Sequence, residues 1–194
     1  MKNTGTLLAA FTALFMLVTT ACKSSSPVAS NGGFVEKIAN SYSARTFIEK
    51  EVSKNDIETI LKCGSKAPSA MNAQPWHFTV VRDETVVMGM LRGAAKGCVI
   101  IVISGPAEER EGMNVSFDTA LATQNMYLTA QDLGLGARIL TGPLRDMDEA
   151  GKAYFQIPAG LDAIAFLAVG HVGADAISAA SPRKSLNEMV NYAD

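Results

Sequence analysis

Ala67-Pro68-Ser69-Ala70-Met71-Asn72-Ala73-Gln74-Pro75-Trp76-His77-Phe78 is the stretch on which the reading of this chain turns. Pro68 and Pro75 restrict the backbone at either end, and between them Ser69, Asn72 and Gln74 offer side-chain donors and acceptors. An amide side chain can match a heteroaromatic edge that carries both donors and acceptors. A rigid turn feeding a strand accounts for the same residues equally well, so residue chemistry alone leaves both readings open.

Upstream of this stretch, Ser53 and Asp56 are spaced as a helix cap ahead of Ile57, Ile60 and Leu61. Pro68 is expected to end that helix. Downstream, residues 76–81 alternate as a strand, and residues 83–95 place Val86, Val87, Met90 and Leu91 at helical spacing. Residues 99–103 form a solid apolar run, as in a strand buried on both faces. The longest helical pattern covers residues 114–133, with Phe117, Leu121 and Leu128 in it and Gly134 as its C-terminal cap. A strand over 136–141, a helix over 145–155 and an apolar strand over 164–172, broken by Gly170, complete the alternation. Such an order implies an α/β or α+β sandwich whose sheet is covered on both sides.

Composition fits one domain with a real core: 194 residues, 48% hydrophobic and 19% charged. A net charge of −2 gives no basic face for nucleic acid. The N-terminus reads differently from the rest. Lys2, an apolar run over 7–18 and the small residues Thr19-Thr20-Ala21 before Cys22 have the layout of a secretory signal. The run is shorter than the roughly 20 apolar residues that span a bilayer. Cys22 stands where a bacterial lipoprotein carries its lipidated cysteine, although Thr19 occupies a place usually held by leucine. A plain cleaved signal is the alternative. The expected organisation is a signal over 1–22, a flexible Ser/Gly/Pro-rich tether over 23–33 and a folded domain over 34–194. The expected location is outside the cytoplasm, lipid-anchored to a bacterial membrane and facing the periplasm or exterior. Cys63 and Cys98 read as small buried hydrophobes rather than as a disulfide.

His77 and His171 are isolated in strand patterns, and no metal-ligand spacing occurs, so no metal is expected. Gly134-Leu135-Gly136 follows a helix instead of opening one and is no dinucleotide fingerprint. Two further polar groups stand out. Ser41, Ser43 and Arg45 project to one side of an extended segment and can present two hydroxyls and a guanidinium to a phosphate. A solvated polar loop is the plainer account. Arg183 and Lys184 follow Pro182 and can close over the same kind of group, or form a charged exit loop.

Taken in order, residues 67–78, Gln124-Asn125, Asp132-Leu133-Gly134-Leu135-Gly136 and Pro182-Arg183-Lys184 resemble the nitroreductase family, over about residues 40–192. The resemblance implies an α+β three-layer sandwich, a mainly antiparallel central sheet flanked by helices, in an intertwined homodimer with FMN at the interface. It further implies that Ser41, Ser43 and Arg45, with Arg183 and Lys184, face the FMN phosphate. Ser69, Ala70 and Asn72 would lie along the flavin, with Pro68 and Gln74 in the same wall. Thr141-Gly142 would approach flavin N5, and residues 186–192 would reach over the partner. Ser41 departs from the pattern, since relatives usually carry arginine there. An unreplaced guanidinium would cost about 1.5–3 kcal/mol. Arg92 and Lys96 both remain open as the family's usual cation near flavin N1 and O2.

No catalytic acid or nucleophile is expected, because the flavin carries the chemistry. The resemblance implies hydride transfer from NADH or NADPH through N5 to a nitroaromatic, a quinone or a similar small-molecule acceptor. Nicotinamide cofactors are cytoplasmic, which conflicts with an export signal. The alternatives are therefore an exported flavin-binding electron relay or a non-catalytic binding module, including a flavin-less interaction domain.

Overall fold

The solid apolar run becomes the middle of a sheet. A computed structural model describes residues 33–108, 112, 114–174, 176 and 182–193. The signal, Cys22 and all of the tether but Gly33 lie outside the described residues. The sheet comprises β1 (His77–Val81), β2 (Val99–Pro106), β3 (Gly136–Leu140) and β4 (Leu161–Gly170), in the order β1-β2-β4-β3. Every neighbouring pair is antiparallel. Because side chains alternate along a strand, β2 divides its residues between two cores. Ile100 and Val102 join Val87, Leu91, Phe155 and Phe166 on one face. Val99, Ile101 and Ile103 join Ile57, Ile60, Met126 and Ala130 on the other. Burial on both faces explains why this strand reads as a continuous apolar run.

Helix α1 (Phe34–Ala39) precedes the cores, and α2 (Lys54–Gly64) and α4 (Val115–Asp132) pack on one face of the sheet. Helix α3 (Glu84–Met90) lies on the other, followed later in the chain by α5 (Glu149–Tyr154). The result is the expected α+β arrangement of an antiparallel sheet between helices. Ser53 caps α2 by accepting the Asp56 N–H at 3.0 Å, as its spacing implied.

Several boundaries differ from expectation. Helix α2 stops at Gly64, short of Pro68, because a turn through Ser65 closes it first. Helix α3 ends at Met90 and the chain loops to β2, so residues 83–95 are not one helix. Residues 145–155 divide between a 3-10 turn, Gly142–Asp146, and α5, whose N-cap Asp148 accepts the Gly151 N–H at 2.8 Å. The last strand begins earlier, at Leu161, and ends at Gly170. Helix α4 buries Val115, Asp118, Thr119, Ala122, Thr123, Met126 and Ala130. Small residues on that face let the helix sit close to the sheet. The buried Thr119 and Thr123 hydroxyls donate to the carbonyls one turn back, at 2.7 and 2.8 Å. Phe117 is 60% exposed, and Leu121 and Leu128 are half-buried. Cys63 and Cys98 are free thiols, and burial pushes the Cys98 thiol up.

Candidate functional site

Helix α4 carries an attachment at each end for one of the two polar segments. At its C-terminal end, Gln131 Oε1 accepts the Tyr42 N–H at 3.0 Å. Two residues on, the Ala44 N–H donates to Ala137 O of the edge strand β3, at 3.0 Å. The segment is thereby stitched along the sheet edge with Tyr42 and Ala44 buried. Alternation then turns Ser41, Ser43 and Arg45 outward, as the spacing implied. Burial, and after it the neighbouring Tyr127, push the Tyr42 phenol up, so this side of the segment stays neutral.

The landmark that follows α4 makes the stitching possible. Gly134 takes the left-handed conformation, φ +77°, that closes the helix. Gly136 leaves room for the incoming segment: a Cβ there would meet Val172 at 2.2 Å and the Ala44 Cβ at 2.9 Å.

At the N-terminal end of α4, the buried Asp118 carboxylate, 3% exposed, accepts the Ala70 N–H at 3.1 Å. Ala70–Asn72 form a single 3-10 turn. Met71, Asn72 and Gln74 all adopt left-handed backbone, with φ of 52°, 55° and 48°. Such a conformation costs about 1–2 kcal/mol for an L-residue, less for Asn. Ser69 holds the turn shut, its Oγ accepting the Gln74 N–H at 2.9 Å and its carbonyl the Asn72 N–H at 3.0 Å. Asn72 and Gln74 are exposed, Ser69 and Ala70 half-buried, and Met71 is 78% exposed. Pro68 enters this turn from the exposed side of the buried Ala67.

Thr141 and Gly142 follow the edge strand directly, and Gly142 opens a 3-10 turn. The N–H at such a position has no acceptor within its own turn, and a Cβ on Gly142 would meet nothing within 4 Å. Arg183 and Lys184 belong to a segment, residues 182–193, that is exposed along its whole described length. Glu188 in this arm accepts from the Ser185 hydroxyl and N–H, which lower its carboxyl below the usual range.

The two open candidates for a further cation separate in space. Arg92 lies in the loop whose Gly93 carbonyl accepts the Phe47 N–H at 3.0 Å, beside the Arg45 backbone. Lys96 lines a cavity of about 440 Å³ with Glu49, Lys50 and Glu51. Apart from Lys96, that cavity and a groove of about 590 Å³ bordered by Phe34, Ile38 and Leu128 include none of the predicted site residues. The donor row and the left-handed turn are instead open surfaces, each fixed to α4. Asp118 and Gln131, 13 residues apart, stand about 20 Å apart along the helix. Both were missed in the sequence. Their only signal was polarity: an Asp within an alanine-rich helix, and a Gln just before the Asp132–Gly136 landmark.

The donor set fits a phosphate, with two hydroxyls and a guanidinium on one face. The turn, with its exposed amides, fits a planar heteroaromatic edge.

Comparison with known proteins gives a consistent result. The family model described as "Nitroreductase family" matches residues 38–96 and 89–171. A protein from Archaeoglobus fulgidus, provisionally named NADH dehydrogenase/NAD(P)H nitroreductase, is 31% identical over 138 residues, 66% of this chain and 79% of its own length. One of the same name from Methanothermobacter thermautotrophicus is 34% identical over 134 residues, 64% of this chain and 69% of its own. The crystal structure of a provisionally named nitroreductase in complex with FMN, from Desulfovibrio desulfuricans, superposes with a TM-score of 0.69 at 28% identity. That superposition covers 82% of this chain and 96% of the other.

Proposed function

The chain belongs to the nitroreductase family, and from that membership we propose an FMN-dependent oxidoreductase that works on small electron acceptors. The observation that carries this reading is the mounting of a phosphate-type donor row and a left-handed, amide-bearing turn on one helix. Ser41, Ser43 and Arg45 bind the FMN phosphate, joined by Arg183 and Lys184. Pro68, Ser69, Ala70, Asn72 and Gln74 form the wall along the ring. Gly142, after Thr141, supplies a backbone donor for ring nitrogen N5. When bound, FMN would supply hydride-transfer chemistry between NADH or NADPH and a nitroaromatic, a quinone or a similar acceptor.

The active form is a homodimer. The exposed Phe117 on α4, with the half-buried Leu121 and Leu128 at helical spacing from it, and Leu186, Met189, Val190 and Tyr192 on the exposed arm, support this. Apolar surface of that extent is covered in stable proteins, commonly by a second copy.

The test is anaerobic. The FMN-loaded chain mixed with NADH or NADPH is expected to lose its flavin absorbance with at least one of them. Failure with both, alongside reduction by dithionite, would turn the assignment to an electron relay. The run over residues 7–18 before Cys22 favours that second reading, because a chain exported and lipidated at Cys22 stands apart from cytoplasmic nicotinamides. Cys22→Ser should then abolish labelling by a fatty-acid analogue. Persistent labelling would remove the anchor from the account.

A further inference from the structure

Adjacent residues at the end of α4 hold the chain on either side of Ser41. Gln131 takes the Tyr42 N–H, and Asp132 pairs with Lys37 of α1, four residues before Ser41. The two attachments differ in kind. Lys37 and Asp132 are 51% and 59% exposed, a solvated pair of little weight. The Gln131 bond is partly buried, and the same amide leaves its Nε2 buried with no hydrogen-bond partner. A buried donor left unpaired is costly, and an apolar side chain here would remove that cost only by leaving the Tyr42 N–H without its acceptor. The amide is therefore held by its bond to the segment and not by packing.

It sits against the segment that begins with Ser41. The Gln131 acceptor sets which side of the segment faces in. With Tyr42 and Ala44 inward, Ser41, Ser43 and Arg45 are all outward. A slip of one residue would bury the donors and expose Tyr42. The amide meets the segment through its Oε1, one residue after the serine that begins the row.

We propose that Gln131 is a positioning residue for the cofactor phosphate: its Oε1, on the Tyr42 N–H, holds the Ser41–Arg45 row in register. This rests on the FMN-binding reading above.

The test compares FMN with riboflavin, which has the ring but no phosphate, by fluorescence quenching on the full chain. Gln131→Glu keeps an acceptor for the Tyr42 N–H. Gln131→Met removes it at similar volume. The expected result is an FMN affinity several-fold weaker in Gln131→Met and less affected in Gln131→Glu, with riboflavin affinity within about twofold of the original. Asp132→Ala should leave the FMN-to-riboflavin ratio unchanged. Parallel loss of both ligands would show a merely structural residue and overturn the proposal, as would unchanged FMN affinity in Gln131→Met. If the unsubstituted chain binds neither flavin, the proposed function itself fails. If it binds FMN and the variants do not discriminate, only the role of Gln131 fails.

Discussion

The two polar segments mounted on α4 reach their shapes by opposite means. The Ser41–Arg45 row is ordinary extended chain, given direction by alternate burial, one Gln131 bond and one bond to the sheet edge. The turn at Ser69–Gln74 holds three non-glycine residues in left-handed backbone, kept there by Ser69 and by a single bond to the buried Asp118. One segment is positioned by packing and costs little. The other carries strain that surrounding bonds must hold. A flexible phosphate can be met by a row of donors on regular chain, whereas a rigid planar ring needs a wall of fixed shape. The difference teaches that conformational strain goes with the Ser69–Gln74 turn, proposed to face the ring, and close packing with the Ser41–Arg45 row, proposed to face the phosphate.

That division can be broken from either side. The largest effect should come from Arg45→Ala with Arg183→Ala. Two lost charge-assisted bonds, each about 1.5–3 kcal/mol, weaken FMN by about a hundredfold or more in an equilibrium titration. Retained affinity would move the phosphate elsewhere. Gly136→Ala strikes the packed segment: its Cβ would meet Val172 and Ala44, and overpacking should cost about 1–3 kcal/mol by denaturant unfolding. Asn72→Val strikes the strained segment, since a β-branched residue tolerates positive φ poorly. A loss of about 1–2 kcal/mol is expected, with Asn72→Gly near neutral. Equal effects of Val and Gly would mean that the backbone there is not left-handed in solution. Asp132→Ala should matter least, at most about 1 kcal/mol, because its pair with Lys37 is solvated.

The packed segment was the more legible of the two. Period-2 alternation of Ser41, Ser43 and Arg45 with Tyr42 and Ala44 is written in the chain, and so is the two-faced burial of β2. The left-handed turn was not. Pro68 and Pro75 announced a stiff loop, yet nothing in Met71 or Gln74 announces positive φ, which bonds from Ser69 and Asp118 maintain. Long-range attachments escape a linear reading for the same reason: Ala70 and Asp118 are 48 residues apart, and Tyr42 and Gln131 are 89. In helix α4 the pattern gave the helix but not its buried face, which carries Val115, Asp118, Thr119, Ala122, Thr123, Met126 and Ala130 and leaves Phe117 outside.

Both segments are assigned to one ligand, and that is the claim to test most directly. The purified chain should be incubated with excess FMN, passed through gel filtration, and its visible spectrum recorded across the protein peak. The account predicts flavin bands in a dimer-sized peak at one FMN per chain, their intensity collapsing in the Arg45→Ala, Arg183→Ala variant. A colourless peak at every FMN concentration would contradict it.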